Sequence, residues 1–235
     1  MKQVLRGVAL VGLSAVAMTA QAEFTGNIGW ESTYVFRGVE QNDSSAQGGL
    51  DWSDSLGDSD LGYYVGTWAA DVGEGLEIDY YGGINGELGE FSWLAGGTLY
   101  TYNDDFDDTY KEVNLGLGWK FLQLDAALGK YDGEATLSNG SIEDDPDYQV
   151  YELTAERNGF FAKIGVWADD ADGEWFEAGY GWNWKGVDLT FKWVYTNDIG
   201  TFDETDDSND NQLVVGAVYN FAVSDLWDKF QGAIQ

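Results

Sequence analysis

Much of this chain alternates apolar and polar residues with a period of two, in segments of about ten residues separated by Gly, Asn and Asp clusters, which points to β-strands with one greasy and one polar face. Phe24, Ile28, Trp30, Tyr34 and Phe36 fall on one parity, and Thr25, Asn27, Glu31, Thr33 and Arg37 on the other. Leu50 and Trp52 oppose Gln47, Asp51 and Ser53; Leu76, Ile78 and Tyr80 oppose Glu77 and Asp79. Val113, Leu115, Leu117, Trp119 and Phe121 oppose Glu112, Asn114 and Lys120. Five more segments repeat the rhythm, from Leu122, from Tyr151, from Phe160, from Phe176 and from Val187, and a last one runs from Leu213 to Phe221. Leu61 to Val72 and Phe91 to Tyr102 are apolar on both parities and read as strands whose faces stay open. The expected count is twelve.

Residues 1–22 read differently. Lys2 and Arg6 precede an apolar stretch from Val8 to Ala17, and Ala20-Gln21-Ala22 is a small-x-small cleavage pattern, so this segment is expected to be a signal peptide cut after Ala22. The remainder has no run of 18 consecutive apolar residues, which excludes a membrane helix. Its connections alternate in length. Asn158-Gly159, Lys185-Gly186 and the Phe121 region are tight, whereas Asn103–Thr109, Asp132–Asp147, Ala168–Glu174 and Asn197–Asn211 are long and acidic. Ser53–Asp60 and Gly73–Gly75 fit that alternation less well. Hairpins in unbroken succession, aromatic residues at strand ends and wet connections favour an antiparallel up-and-down transmembrane β-barrel over a soluble sandwich, which shares the alternation. The expected fold is therefore all-β: a signal peptide over 1–22, a barrel of about 12 strands over 23–221, and an amphipathic tail over 222–235. In that tail Val223, Leu226, Trp227, Phe230 and Ile234 recur at helical spacing.

Ser32-Thr33-Tyr34-Val35-Phe36-Arg37-Gly38-Val39-Glu40-Gln41, Gln47-Gly48-Gly49 and Gly62-Tyr63-Tyr64-Val65-Gly66-Thr67-Trp68-Ala69, followed by Glu77-Ile78-Asp79-Tyr80-Tyr81-Gly82-Gly83, resemble the TorF-type porin family of Gram-negative bacteria. The resemblance is sharpest from Phe24 to Gly83. It implies an outer-membrane barrel and leaves the solute open. Asp58-Ser59-Asp60 looks inserted relative to that pattern, and the chain runs 14 residues beyond Phe221, where such barrels usually stop on an aromatic.

The residue inventory narrows the chemistry. With no His and no Cys there is no imidazole base, no thiol nucleophile and no thiolate or imidazole metal site. A net charge of −31 opposes binding to nucleic acid. Glu77 and Asp79 share a face, but neighbouring carboxylates are ordinary on an alternating strand, so no enzyme, cofactor or resident metal is expected. Turning the polar parity inward lines a pore with Glu31, Arg37, Asp51, Glu77, Asp79, Glu112, Asp125, Glu152, Glu156, Lys163, Glu177, Asp188 and Lys192, joined by Asp71 and Lys120. Acids outnumber bases, and a carboxylate-lined pore favours cations. Lys111 and Lys130 fall on the outward parity, where lipopolysaccharide phosphates are expected partners. The expected function is a porin-like channel for passive diffusion of small cationic or neutral solutes. A non-conducting structural or adhesive barrel with acidic surface loops is the alternative.

Overall fold

Alternation closes into a ring. The computed structural model describes residues 22–57, 59–104, 106–137, 141–200 and 210–225. The signal segment with Ala20, and the tail beyond a helical turn at 223–225, lie outside them; Ala22 is exposed. The strands are β1 (Glu23–Phe36), β2 (Val39–Ser55), β3 (Leu61–Asp71), β4 (Leu76–Leu88), β5 (Phe91–Tyr102), β6 (Thr109–Trp119), β7 (Leu122–Asp132), β8 (Glu134–Thr136), β9 (Ile142–Asp144), β10 (Asp147–Arg157), β11 (Phe160–Asp169), β12 (Asp172–Trp184), β13 (Val187–Gly200) and β14 (Asp210–Ala222). Twelve of them form a closed antiparallel barrel, sealed where Thr25 of β1 pairs with Ala222 of β14. β8 and β9 form a separate small hairpin inside the long connection after β7. Closure matters because a barrel pairs its strand backbones with one another and leaves no open edge.

The outward parity is the apolar one. Ile28, Val65, Tyr80, Ile84, Val113, Leu115, Leu153, Ile164 and Phe191 are all exposed, and aromatic residues such as Trp52, Phe91, Trp119, Phe160 and Trp184 stand toward the ends of their strands. The inward parity carries buried Glu77, Asp79, Glu112, Asn114, Glu177 and Lys192. The two strands with open faces also resolve, because β3 buries Tyr64 and Ala70, and β5 buries Thr98 and Tyr100. One end of the barrel has tight turns built on left-handed residues, such as Asn158 (φ 56°) with Gly159 (φ 83°) and Lys185 (φ 54°) with Gly186 (φ 92°).

Two expectations, on the Ala168–Glu174 connection and on Lys120 in the inner wall, change. Ala168–Glu174 is not a long loop: β11 and β12 run through it and leave only Asp170 and Ala171 between them, so an acid-rich stretch here is strand. β2 begins at Val39, making Arg37-Gly38 a two-residue turn with φ 49° and 84°. Lys120 leaves the inner wall for the β6–β7 turn, where it is exposed and lies 3.4 Å from Glu90.

Tyr34 and Phe36 depart most from the alternating pattern. They share sequence parity with the outward residues Ile28 and Trp30, yet Tyr34 is 1% exposed and Phe36 packs on Tyr100 inside the barrel. Pairing explains the switch. β1 follows β14 only from Thr25 to Glu31, while β14 stays paired to β13 as far as Asp210. Ser44, opposite this point on β2, is left-handed at φ 64°, and the β1–β2 register shifts between Tyr34 and Val35. Beyond Glu31 the hairpin tip leaves the wall and enters the mouth. Both faces of β1 are covered there: Tyr34 meets Trp68 of β3, and Val35 packs on Val194 and Val214 of β13 and β14.

Candidate functional site in the barrel interior

The inserted tip is tied to the far wall. Both terminal nitrogens of Arg37 donate to the Glu112 carboxylate on β6, Nη1 to Oε1 and Nη2 to Oε2, the latter at 3.1 Å. Glu112 also accepts from Tyr148 (2.8 Å), Tyr100 (3.1 Å) and Asn114 (2.7 Å), and Thr98 donates to Asn114 Oδ1 at 2.7 Å. A buried charge is tolerable when paired and hydrogen-bonded in this way. Burial works against the charge of Arg37, but Glu112, Tyr100 and Glu152 around it together outweigh that effect and hold its pKa well above the ordinary guanidinium value. The Arg37 guanidinium lies 4.7 Å from the Phe36 ring centroid. The turn backbone is held too: Trp167 Nε1 donates to the Arg37 carbonyl at 3.0 Å, and Thr196 Oγ1 to the Gly38 carbonyl at 3.1 Å.

Glycines on the wall let neighbouring rings lie flat against it. Gly129 of β7 pairs with Glu112 on one side and Tyr148 on the other, so the Tyr148 ring crosses a residue without a side chain to reach the carboxylate. Gly66 plays the same part between Tyr81 and Asp51, whose hydroxyl–carboxylate bond measures 2.6 Å. Trp175 lies over Gly165, beyond which stands Glu152, and Phe161 lies over Gly179, beyond which stands Lys192. Aromatic, glycine and charge on three adjacent strands is a repeated device of this wall.

The thirteen residues expected to line the interior divide into three groups. Arg37–Glu112, Lys163–Glu152 (2.7 Å) and Lys192–Glu177 (3.6 Å) form ion pairs. Glu31, Glu77 and Asp79 are buried acids for which no ion pair occurs among the described residues; Glu77 accepts from Tyr34 (2.7 Å) and Tyr102 (2.9 Å), and Asp79 Oδ1 and Glu31 Oε2 have no hydrogen-bond partner there. Asp51, Asp125, Glu156 and Asp188 are half-buried on four strands near the tight-turn end of the barrel. Asp71, also counted inward, accepts from Asn42 at 3.3 Å. Outside, Lys111 and Lys130 face each other across β6 and β7; Lys111 donates to Asp132 at 2.7 Å, and Lys130 lies 3.7 Å from Asp147. Alternation puts Tyr34 on the outward parity and gives no role to the inner tyrosines Tyr100, Tyr102 and Tyr148. Tyr148 shares parity with Glu152 and Glu156 on β10, a signal available from alternation, whereas Tyr100 and Tyr102 lie on β5, whose faces alternation leaves open.

Between the inserted tip and the β5–β6 wall lies a cleft open to solvent. Phe36, Glu40, Tyr102, Phe106, Asp107 and Tyr110 line it.

Among solved structures the barrel is similar to an outer membrane channel of the COG4313 type from Pseudomonas putida F1, with a TM-score of 0.56 at 13% identity, covering 86% of this chain and 96% of that one. It is also similar to a chain solved in a study of in-meso crystallization of membrane proteins, with a TM-score of 0.58 at 11% identity, covering 86% and 84%. At such identities the likeness is one of fold. Among curated proteins nothing matches by sequence. A family model described as a bacterial protein of unknown function, Gcw_chp, matches residues 15–153, more than half of the chain.

Proposed function

We propose that this chain, which belongs to the bacterial Gcw_chp family, is an outer-membrane channel that passes small cationic or neutral solutes by passive diffusion. The observation that carries the reading is the division of one closed wall: an apolar outer face, and an inner face where Glu31, Glu77 and Asp79 stay outside the ion pairs of the described residues. Carboxylates on a wall enclosed by low-dielectric material concentrate cations, and a fixed interior charge biases a water-filled path without binding the solute tightly. Arg37, Glu112 and the inserted tip would narrow the outer mouth, and Asp51, Asp125, Glu156 and Asp188 would draw cations at the other end. The fold likeness to an outer membrane channel and the resemblance of residues 24–83 to TorF-type porins support the same reading. No step of it involves bond chemistry, so the protein acts as a conduit and not as an enzyme. Lys111 and Lys130, adjacent and exposed on the outside, would face lipopolysaccharide phosphates.

The test is planar-bilayer recording of the refolded barrel in a salt gradient. Conductance steps with a reversal potential on the cation side are expected. Steps that favour anions would overturn the selectivity, and silence would favour the second reading, a structural or adhesive barrel. That reading has its own observation, the hairpin tip packed into the mouth.

A further inference from the structure

We infer that the mouth cleft is a recognition site for a small alkylammonium cation, the solute class that the channel would select. This deepens the channel reading and rests on the mouth being the side from which solutes enter. Three observations converge on the ligand's chemistry.

Rings dominate the lining. Tyr102 packs on Phe106 with centroids 5.4 Å apart and meets Tyr110 edge-on at 6.2 Å, and Phe36 closes the cleft from the inserted tip. All four are half-buried and so keep surface toward the opening. Aromatic faces turned on one space attract a cation through their quadrupoles, most strongly when water is partly excluded.

The charge of the lining is negative. Among the described residues of the lining, Glu40, Asp107 and Glu112 are acidic and Arg37 is basic, Arg37 pairs with Glu112, and Glu40 accepts from Gln212. Tyr110 and Tyr131 both donate to Asp107, at 2.8 and 3.0 Å, which fixes that carboxylate beside the rings. The balance of charge in this lining favours a cation over an anion or a neutral solute.

The cleft also already holds an organic cation of its own. The Arg37 guanidinium stacks on Phe36 and pairs with Glu112, so ring plus carboxylate is a combination this mouth uses to keep a desolvated positive group. A quaternary or primary ammonium beside it would use Glu40, Asp107 and the remaining ring faces in the same way.

The experiment is calorimetric titration of the refolded, full barrel in micelles with choline and with 3,3-dimethylbutanol, its uncharged counterpart of the same shape. Choline should saturate one site, and the alcohol should bind at least about tenfold more weakly, the ratio expected for about 1.4 kcal/mol of cation–π and ionic attraction. Phe106→Leu and Glu40→Gln should each weaken choline several-fold in a barrel that still folds, whereas Glu87→Gln at the opposite end should leave binding as it was. Equal affinity for the two probes, no saturable choline binding, or indifference to both cleft variants would overturn the inference. Binding in micelles is independent of conduction. Choline binding by a barrel silent in bilayers would sink the channel reading alone, and a conducting barrel that ignores choline would sink this one alone.

Discussion

Arg37 and Glu112 are 75 residues apart in sequence and meet inside the barrel, where a two-residue turn on one wall is clamped by a carboxylate on another. Removing the arginine leaves a buried carboxylate with only tyrosine and asparagine donors. Breaking a buried pair from one side typically costs about 3–5 kcal/mol, because the remaining charge is stranded. Arg37→Ala should therefore lower the urea midpoint of unfolding in micelles sharply. Arg37→Lys should recover only part of the loss, because an ammonium cannot match the two-pronged geometry. A wild-type midpoint for Arg37→Ala would show that the clamp contributes nothing. Released from the clamp, the tip should also leave the mouth more often, raising the mean single-channel conductance.

The Tyr148–Gly129–Glu112 row makes a second expectation. A methyl group on Gly129 would overlap the Tyr148 ring, so Gly129→Ala must lift the ring from the wall and break its bond to Glu112. Overpacking of this kind costs about 1–3 kcal/mol. Tyr148→Ala removes the overlap, so the double variant should lose less than the sum of the two single losses, a coupling that denaturant midpoints resolve. Strict additivity would mean that ring and glycine are independent.

These two relationships also show what alternation can and cannot reveal. The inward placement of Glu77, Asp79, Glu177 and Lys192 follows from period two alone, since each sits between apolar neighbours, and Glu112 follows from the run Val113, Leu115, Leu117 on the opposite parity of its strand. Alternation puts Tyr34 and Phe36 outward because its rule runs on past the point where β1 leaves β14. Nothing local in Ser32-Thr33-Tyr34 announces that departure, which depends on Ser44 across the hairpin and on the contacts waiting inside. The Arg37-Gly38 turn lacks the Asn-Gly signature that made Asn158-Gly159 legible, and the Arg37–Glu112 pairing depends on closure of the ring, which no window of sequence contains. The acidic stretch Ala168–Glu174 misled in the opposite sense, because hydrophilic residues are compatible with strand where a hairpin stands clear of an apolar surrounding.

The outer face makes a third expectation. Leu115 lies midway along β6 and is 45% exposed, with its side chain on the apolar parity. An arginine at the midplane of a barrel's lipid face costs about 2–4 kcal/mol. Leu115→Arg should thus destabilise the barrel folded in lipid vesicles by that amount, and the same change at Phe24, near the strand end, should cost far less. Equal penalties at the two positions would mean that no membrane core surrounds the middle of β6.

The interior acids make the last expectation, and it separates a selective pore from a plain one. Asp79 is 8% exposed, belongs to none of the ion pairs of the described residues, and faces the same interior as Glu77, two residues away. If it is ionised beside the conducting path, one unit charge about 8 Å from a passing ion in water is worth about 0.5 kcal/mol. Asp79→Asn keeps the shape and removes the charge. The cation-to-anion permeability ratio, read from the reversal potential in a salt gradient, should fall by a factor of about two with little change in conductance. Salt should blunt the difference, because screening at high ionic strength weakens fixed charge in the wild-type pore and the variant has less to lose. Asp188→Asn, at the half-buried end, should give a smaller shift because more water screens it. A reversal potential unmoved by Asp79→Asn at low salt would mean that this carboxylate is protonated or shielded from the path, and selectivity would then have to come from the acids at the tight-turn end.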